Sequence, residues 1–421
     1  MVGWLSIRLV VFLMICATVS STNCPNREWI KKSLKKAHIP GAVVMVINAT
    51  DTLYAEAFGH QSLTPKRHMN IDRSIFSLAS VSKTFVGTAV MQLVEQSLVD
   101  LDIDVNQYLS EPQKRIFHPD FPSNSITLRK LLSHSASIAT SRQVTNSYYH
   151  PGDTAFAESL TDACYRIINP NTSNWLPQPP GTVIYYSNEG NSLAALVVEK
   201  VSNMSYIDYV EAKILKPLGI DINKTGVRLA DFSNIEDLVK HYAYAYNESS
   251  VEVWHEKLPK FNITKISKDF PTWLQIPFYG FSIYPAGLLR MSARSLATYL
   301  QMFLNNGSSI LRPQSIVEMR RPVGDGLILY YSPNSADQLA NVDAGLGWYW
   351  LTKNNGRRYV GHEGSMPGVT HSMFVNEKNN LGVIVLSTGD ISSETQQSKE
   401  TYETVTNIYM SLFECFDTDI M

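Results

Sequence analysis

The stretch "SLASVSKTFVGTAVMQLVEQ", residues 77–96, reads as a buried helix with polar chemistry at its mouth. Phe85, Val86, Ala89, Val90 and Leu93 are apolar, whereas Ser80 and Lys83 stand three residues apart at the front, on one face of a helical turn. A serine hydroxyl is a poor nucleophile until a base takes its proton. A lysine amine is that base only where an apolar surrounding lowers its pKa by penalising the ammonium. The helix start adds backbone N–H groups and partial positive charge, which suit a developing oxyanion. The spacing alone is weak: Ser33 and Lys36 repeat it on the polar face of the first predicted helix, where it is ordinary surface.

Two further clusters supply the missing partners. "PGTVIYYSNEG" carries Tyr186 and Asn188. A phenol beside a cationic lysine holds a lowered pKa and shuttles protons, and the asparagine can hold the lysine and bind a substrate amide. "YVGHEGSMPG" carries His362, Glu363 and Gly364, expected at the end of a strand. A glycine there admits substrate close to the backbone, and the N–H of Ser365 can join that of Ser80 as an oxyanion hole.

Working outward, "NREWIKKSLKKAHIPG" predicts an amphipathic helix with Trp29, Ile30, Leu34 and Ala37 on its apolar face. "AVVMVINATDTLYAEAFG" predicts a strand pair turning at Asn48 to Thr52. From Leu101 to Arg290 the chain reads as short helices and polar loops, with "SITLRKLLSHSASI" as one helix and Tyr242 to Tyr284 unassigned. A helix from Ala293, strands through "AGLGWYWLT", "RRYVGHEG" and "THSMFVNEKNNLGVIVLST", and a last helix "KETYETVTNIYMSLFEC" complete the chain. This order predicts an α+β fold: an antiparallel sheet built from both chain ends and flanked by helices, with a mostly helical insert. The expected boundaries are 22–100 plus 291–421 for the α/β part and 101–290 for the insert.

The formal charge of −2 gives no field to draw nucleic acid. Residues 1–21, with Arg8 ahead of an apolar run from Leu9 to Ala17 and then small residues, predict a cleaved secretory leader. No later stretch is long and apolar enough to span a bilayer. Asn48, Asn171, Asn203, Asn223, Asn247, Asn262 and Asn306 open N-glycosylation triplets, which fits an exported glycoprotein. No His-Glu-x-x-His and no paired cysteine set predicts a metal, and nothing in the sequence indicates a cofactor. Cys24, Cys164 and Cys415 remain after the leader; an oxidising compartment favours one disulfide and one leftover thiol, the alternative being three free buried thiols.

Taken in order, "FSLASVSKTF", "ITLRKLLSHSASI", "YYSNEGNSLAALVVEKVS", "ILKPLGI", "PAGLLRMSARSLATYLQ", "GLGWYW" and "GHEGSMPG" resemble the serine β-lactamase and penicillin-binding protein family, in its class C and D-alanyl carboxypeptidase branch. The resemblance covers nearly the whole chain after the leader. It implies a cleft between the two parts, Ser80 as the acylated nucleophile, Lys83 as its base and Tyr186 as proton relay. Asn188 would position Lys83 and the substrate, and His362 to Gly364 would line the cleft from the edge strand. Terminal helices packed side by side in such a fold would pair Cys24 with Cys415. The chain departs from the family pattern where His362 and Glu363 replace a lysine and a threonine, and where Ser137 and Leu288 replace glycines. A neutral imidazole attracts a carboxylate less than an ammonium does, which argues for a small ester or amide substrate over penicillins. The alternative is a non-catalytic extracellular matrix glycoprotein, for example of a mineralised shell, with matrix components as its partners.

Overall fold

Gly41–Ile47 (β1) is an unbroken apolar run because both of its faces are buried. Val43, Met45 and Ile47 point into one core, and Ala42, Val44 and Val46 into another. In this computed structural model, which describes residues 24–109, 114–140, 142–324, 327–330, 342–353, 356–393 and 395–417, β1 lies inside an eight-stranded sheet. The other strands are Thr52–Leu63 (β2), Lys66–His68 (β3), Val342–Ala344 (β4), Tyr349–Thr352 (β5), Arg358–Met366 (β6), Val369–Asn376 (β7) and Gly382–Ser387 (β8). Their order is β4-β5-β6-β7-β8-β1-β2-β3, antiparallel throughout. The antiparallel pairing of β1 with β8, Ala42 opposite Ser387, joins the two ends of the chain in one sheet, as the sequence predicts.

Helices cover both faces of this sheet. Arg27–Lys36 (α1) and the last helix pack on one side, with Ile30, Leu34, Ile408, Leu412 and Phe413 in a shared core. Trp29 departs from the expected apolar face: it stays 39% exposed while Ile30 and Leu34 carry the packing. Lys83–Glu95 (α2), Asn188–Ser202 (α3) and Ala293–Leu304 (α4) feed the larger core on the other side. The last helix, Gln396–Phe416 (α5), brings Cys415 to Cys24 with their Cα atoms 5.6 Å apart, and the two are bridged. Cys164 is buried, and burial pushes its thiol pKa up, so the expected leftover thiol is sealed from an intermolecular partner.

The segment 101–290, expected as a mostly helical insert, also carries strands. Between His241 and Ile276 it holds a three-stranded sheet and the helix Glu248–Lys257. The helix predicted for "SITLRKLLSHSASI" stops after Leu128–Leu132, because His134 and Ser137 take left-handed backbone at φ 59° and 58°. Ser137 thus keeps a glycine-like conformation without being glycine, whereas Leu288 lies fully buried among the core side chains. The expected leader at residues 1–21 lies outside the described residues, and no described helix is long and apolar enough to cross a membrane.

Candidate active site

Ser80 sits not in the helix but in the 3₁₀ turn Ala79–Ser82 that leads into α2. Three residues per turn align positions i and i+3, so Ser80 stands directly before Lys83. Ala79, immediately ahead, is held at φ +48°, the left-handed backbone often found where surroundings over-determine a functional turn. Lys83 Nζ lies 3.0 Å from Ser80 Oγ and 2.6 Å from the Ala286 carbonyl oxygen. The lysine has no exposed surface, and that burial lowers its pKa to about 7, with the Glu189 carboxylate pulling partly the other way.

Tyr186 joins them from the loop before α3. Its ring centroid is 4.9 Å from Lys83 Nζ, and Ser80 is near enough to its hydroxyl to pull the phenol pKa down. The expected lowering of its pKa is reversed. Desolvation pushes the phenol up, although Tyr186 is 45% exposed and solvent offsets part of that push. Tyr186 is therefore a protonated donor at neutral pH, and Lys83 is the group poised to change charge.

Asn188 opens α3, whose first turn is capped by the Ser187 hydroxyl accepting from Gly190 N–H. Asn188 lines the crevice with Ser80 and Ser365, but the hydrogen bonds of Lys83 go to Ser80 and Ala286. Positioning of the lysine falls to the Ala286 carbonyl of the turn Tyr284–Ala286, a backbone group that no side-chain motif announces.

His362, Glu363 and Gly364 lie within β6 rather than at its end. Among the described residues β5 pairs with Arg358 to Gly361, so residues 362–366 lie past that ladder, beside the Ser80 turn. A Cβ at 364 would sit 2.6 Å from the Leu78 carbonyl oxygen, so this glycine serves the approach of β6 to the backbone leading into the Ser80 turn. His362 is 2% exposed and its Nδ1 donates to the Glu363 carbonyl, while burial and the Lys83 charge hold the imidazole neutral. Glu363 points to the opposite face, where its carboxylate accepts from the Tyr349 hydroxyl at 3.2 Å. The negative charge expected beside the cleft is thus behind the sheet, because successive strand residues alternate sides.

Two residues complete the surroundings of Lys83 without having been assigned roles from sequence. His134 accepts from Ser187 N–H at 3.1 Å, lies 4.4 Å from the Tyr186 ring centroid and is pushed down to about 3 by burial and by Lys83. Glu189, 1% exposed, accepts hydrogen bonds from Thr140 and Ser187 at 2.9 Å each. His134 occurs within a stretch that carries the resemblance, and Glu189 directly follows Asn188; neither spacing signals proximity to the lysine. Among the described residues no three His, Cys, Asp or Glu side chains cluster to hold a metal.

Known proteins share this framework. The Beta-lactamase family model matches residues 26–407. Penicillin-binding protein 4* of Bacillus subtilis is 24% identical over 375 residues, spanning 87% of this chain and 72% of its own length. Protein flp of Staphylococcus aureus is 24% identical over 370 residues; the match spans 85% of this chain and 61% of that protein. Three solved structures have similar folds. The octameric penicillin-binding protein homologue from Pyrococcus abyssi has a TM-score of 0.70 at 21% identity, over 93% of this chain and 77% of its own. The D-amino acid amidase from Ochrobactrum anthropi SV3, complexed with L-phenylalanine, scores 0.69 at 18% identity, over 92% and 99%. EstCE1, a hydrolase with promiscuous acyltransferase activity, scores 0.65 at 17% identity, over 93% and 100%.

Proposed function

The chain belongs to the Beta-lactamase family, and from that premise we propose that it is a serine hydrolase that forms an acyl-enzyme at Ser80 on a small ester or amide. The observation that carries this is the Lys83 amine, fully buried, brought to a pKa of about 7 and 3.0 Å from the Ser80 hydroxyl. Neutral Lys83 takes the Ser80 proton as Oγ bonds to the carbonyl carbon. The oxyanion is held by the N–H groups of Ser80 and Ser365, both of which line the crevice. As the carbon–leaving-group bond breaks, the Tyr186 hydroxyl gives its proton to the departing alcohol or amine and recovers one from Lys83. Water then attacks the ester, losing its proton along the same route, and Ser80 Oγ leaves with a proton.

The neutral His362 supports a preference for uncharged esters and amides over penicillins, whose carboxylate gains nothing from an imidazole. A fluorophosphonate probe tests the assignment. Intact-mass measurement is expected to show one adduct on the wild type and none on Ser80→Ala; an unlabelled wild type that binds its extracellular matrix would favour the non-catalytic alternative.

The same proposal holds the protein to be an exported glycoprotein. The bridged Cys24–Cys415 pair and the exposed Asn171, Asn203, Asn223, Asn247, Asn262 and Asn306 support it; Asn48 is half-buried. Expression of the full chain in eukaryotic cells, with recovery from the medium and a glycosidase-sensitive mass, is the check, and retention of an unglycosylated chain would count against export.

A further inference from the structure

The crevice at Ser80 is small, about 40 Å³, and apart from its polar groups it is walled by Tyr148, Tyr149, Phe281, Ile283 and Met366. A space this small suits a short acyl group better than a long chain. A second cavity of about 500 Å³ opens beside it, lined by Leu258, Pro259 and Phe261 and by the charged Glu256, Lys257 and Lys260. Tyr149 is the one described residue that lines both.

The partition between them is the segment 145–149. Thr145 and Tyr148 face the crevice, and Asn146 and Ser147 face the larger cavity, as opposite sides of the turn that closes the short helix Arg142–Ser147. Tyr149 is half-buried and its ring rests edge-on against Tyr279 at 5.1 Å and Phe281 at 5.7 Å between centroids. Those contacts hold the ring in place as a wall.

Resting on the Ser80 hydrolase reading, we propose that Tyr149 sets acyl-chain length: its ring confines the acyl group to the small crevice at Ser80, and the cavity behind it is a latent subsite for a linear apolar chain lying along Leu258, Pro259 and Phe261. Removing the ring joins the two spaces, and a chain attached at Ser80 then extends past Asn146 and Ser147. The ring, not its hydroxyl, is the operative part.

The experiment compares kcat/KM for p-nitrophenyl acetate and p-nitrophenyl octanoate, with fluorophosphonate labelling as the common control. The wild type is expected to favour acetate. Tyr149→Ala is expected to raise the octanoate-to-acetate ratio by about tenfold or more, the scale at which one methylene is discriminated in an apolar pocket. Tyr149→Phe, which retains the ring, keeps the wild-type ratio, and adding Ser147→Trp to Tyr149→Ala refills the cavity and moves the ratio back. Should Tyr149→Ala fail to fold, Tyr149→Leu tests the same opening in the same direction. An unchanged ratio in a variant still labelled at Ser80 overturns the proposal alone, as does a wild type that already prefers octanoate. Absence of both labelling and hydrolysis in the wild type overturns the Ser80 reading and this one with it.

Discussion

Lys83 Nζ stands 3.0 Å from Ser80 Oγ inside a site from which the lysine presents no surface to solvent. The amine is held there by one carbonyl, that of Ala286, and by the Ser80 hydroxyl. The low pKa and the proposed reactivity of the serine therefore have one cause, the desolvation of a single nitrogen.

That cause fixes a pH profile. The base is active when neutral and its pKa is about 7, so kcat/KM for an activated ester is expected to rise as pH passes through about 7 and to level off above it. Below that value the rate falls about tenfold for each step of one in pH. A pH–rate profile that is flat from 5 to 9 would remove Lys83 from the role of base.

Burying the lysine also costs stability. Its folded pKa of about 7 lies below its ordinary 10.5, so between those values the unfolded chain binds more protons and stability rises with pH. A tenfold change in proton affinity is worth about 1.4 kcal/mol, so Lys83→Met is expected to raise stability near neutral pH by on the order of 2 kcal/mol after loss of the Ala286 hydrogen bond. Activity should fall by roughly 10²–10⁴. Thermal melts at pH 6 and 9, with the gain larger at pH 6, are the check.

Tyr186→Phe keeps the ring over Lys83 and deletes the proton donor. The expected result is a loss of roughly 10²-fold in kcat with stability within about 0.5 kcal/mol of wild type. An ester with a good leaving group should lose less than an amide, because it needs less protonation on departure. Equal losses for both substrates would argue against the relay.

Gly364→Ala puts a methyl group 2.6 Å from the Leu78 carbonyl oxygen, backbone against backbone. Relief requires β6 to move off the Ser80 turn, so a cost of about 1–3 kcal/mol is expected together with loss of acylation. An alanine variant that acylates at the wild-type rate would show that this approach is not needed.

The Cys24–Cys415 bridge closes a loop of 391 residues. Replacing both cysteines by serine is expected to lower the melting temperature, at a cost of about 2–4 kcal/mol, while leaving kcat unchanged, because the bridge lies at the paired terminal helices and not at the cleft.

Periodicity along the chain determined much of the framework. The unbroken apolar run of β1, the amphipathic stripe of α1, the hairpin at Asn48 to Thr52 and the pairing of the two chain ends were legible because each rests on a local pattern or on family order. The residues proposed to bear the chemistry, Ser80, Lys83 and Tyr186, were picked out from the motifs that hold them, and the structure brings them together. What only the tertiary structure decided is charge and contact. The Ala286 carbonyl on Lys83, the neutral His134 behind Tyr186, the turn of Glu363 away from the cleft and the raised rather than lowered phenol all depend on which distant groups exclude water from one another. Desolvation is a property of the packed surroundings, and no spacing along a chain encodes it.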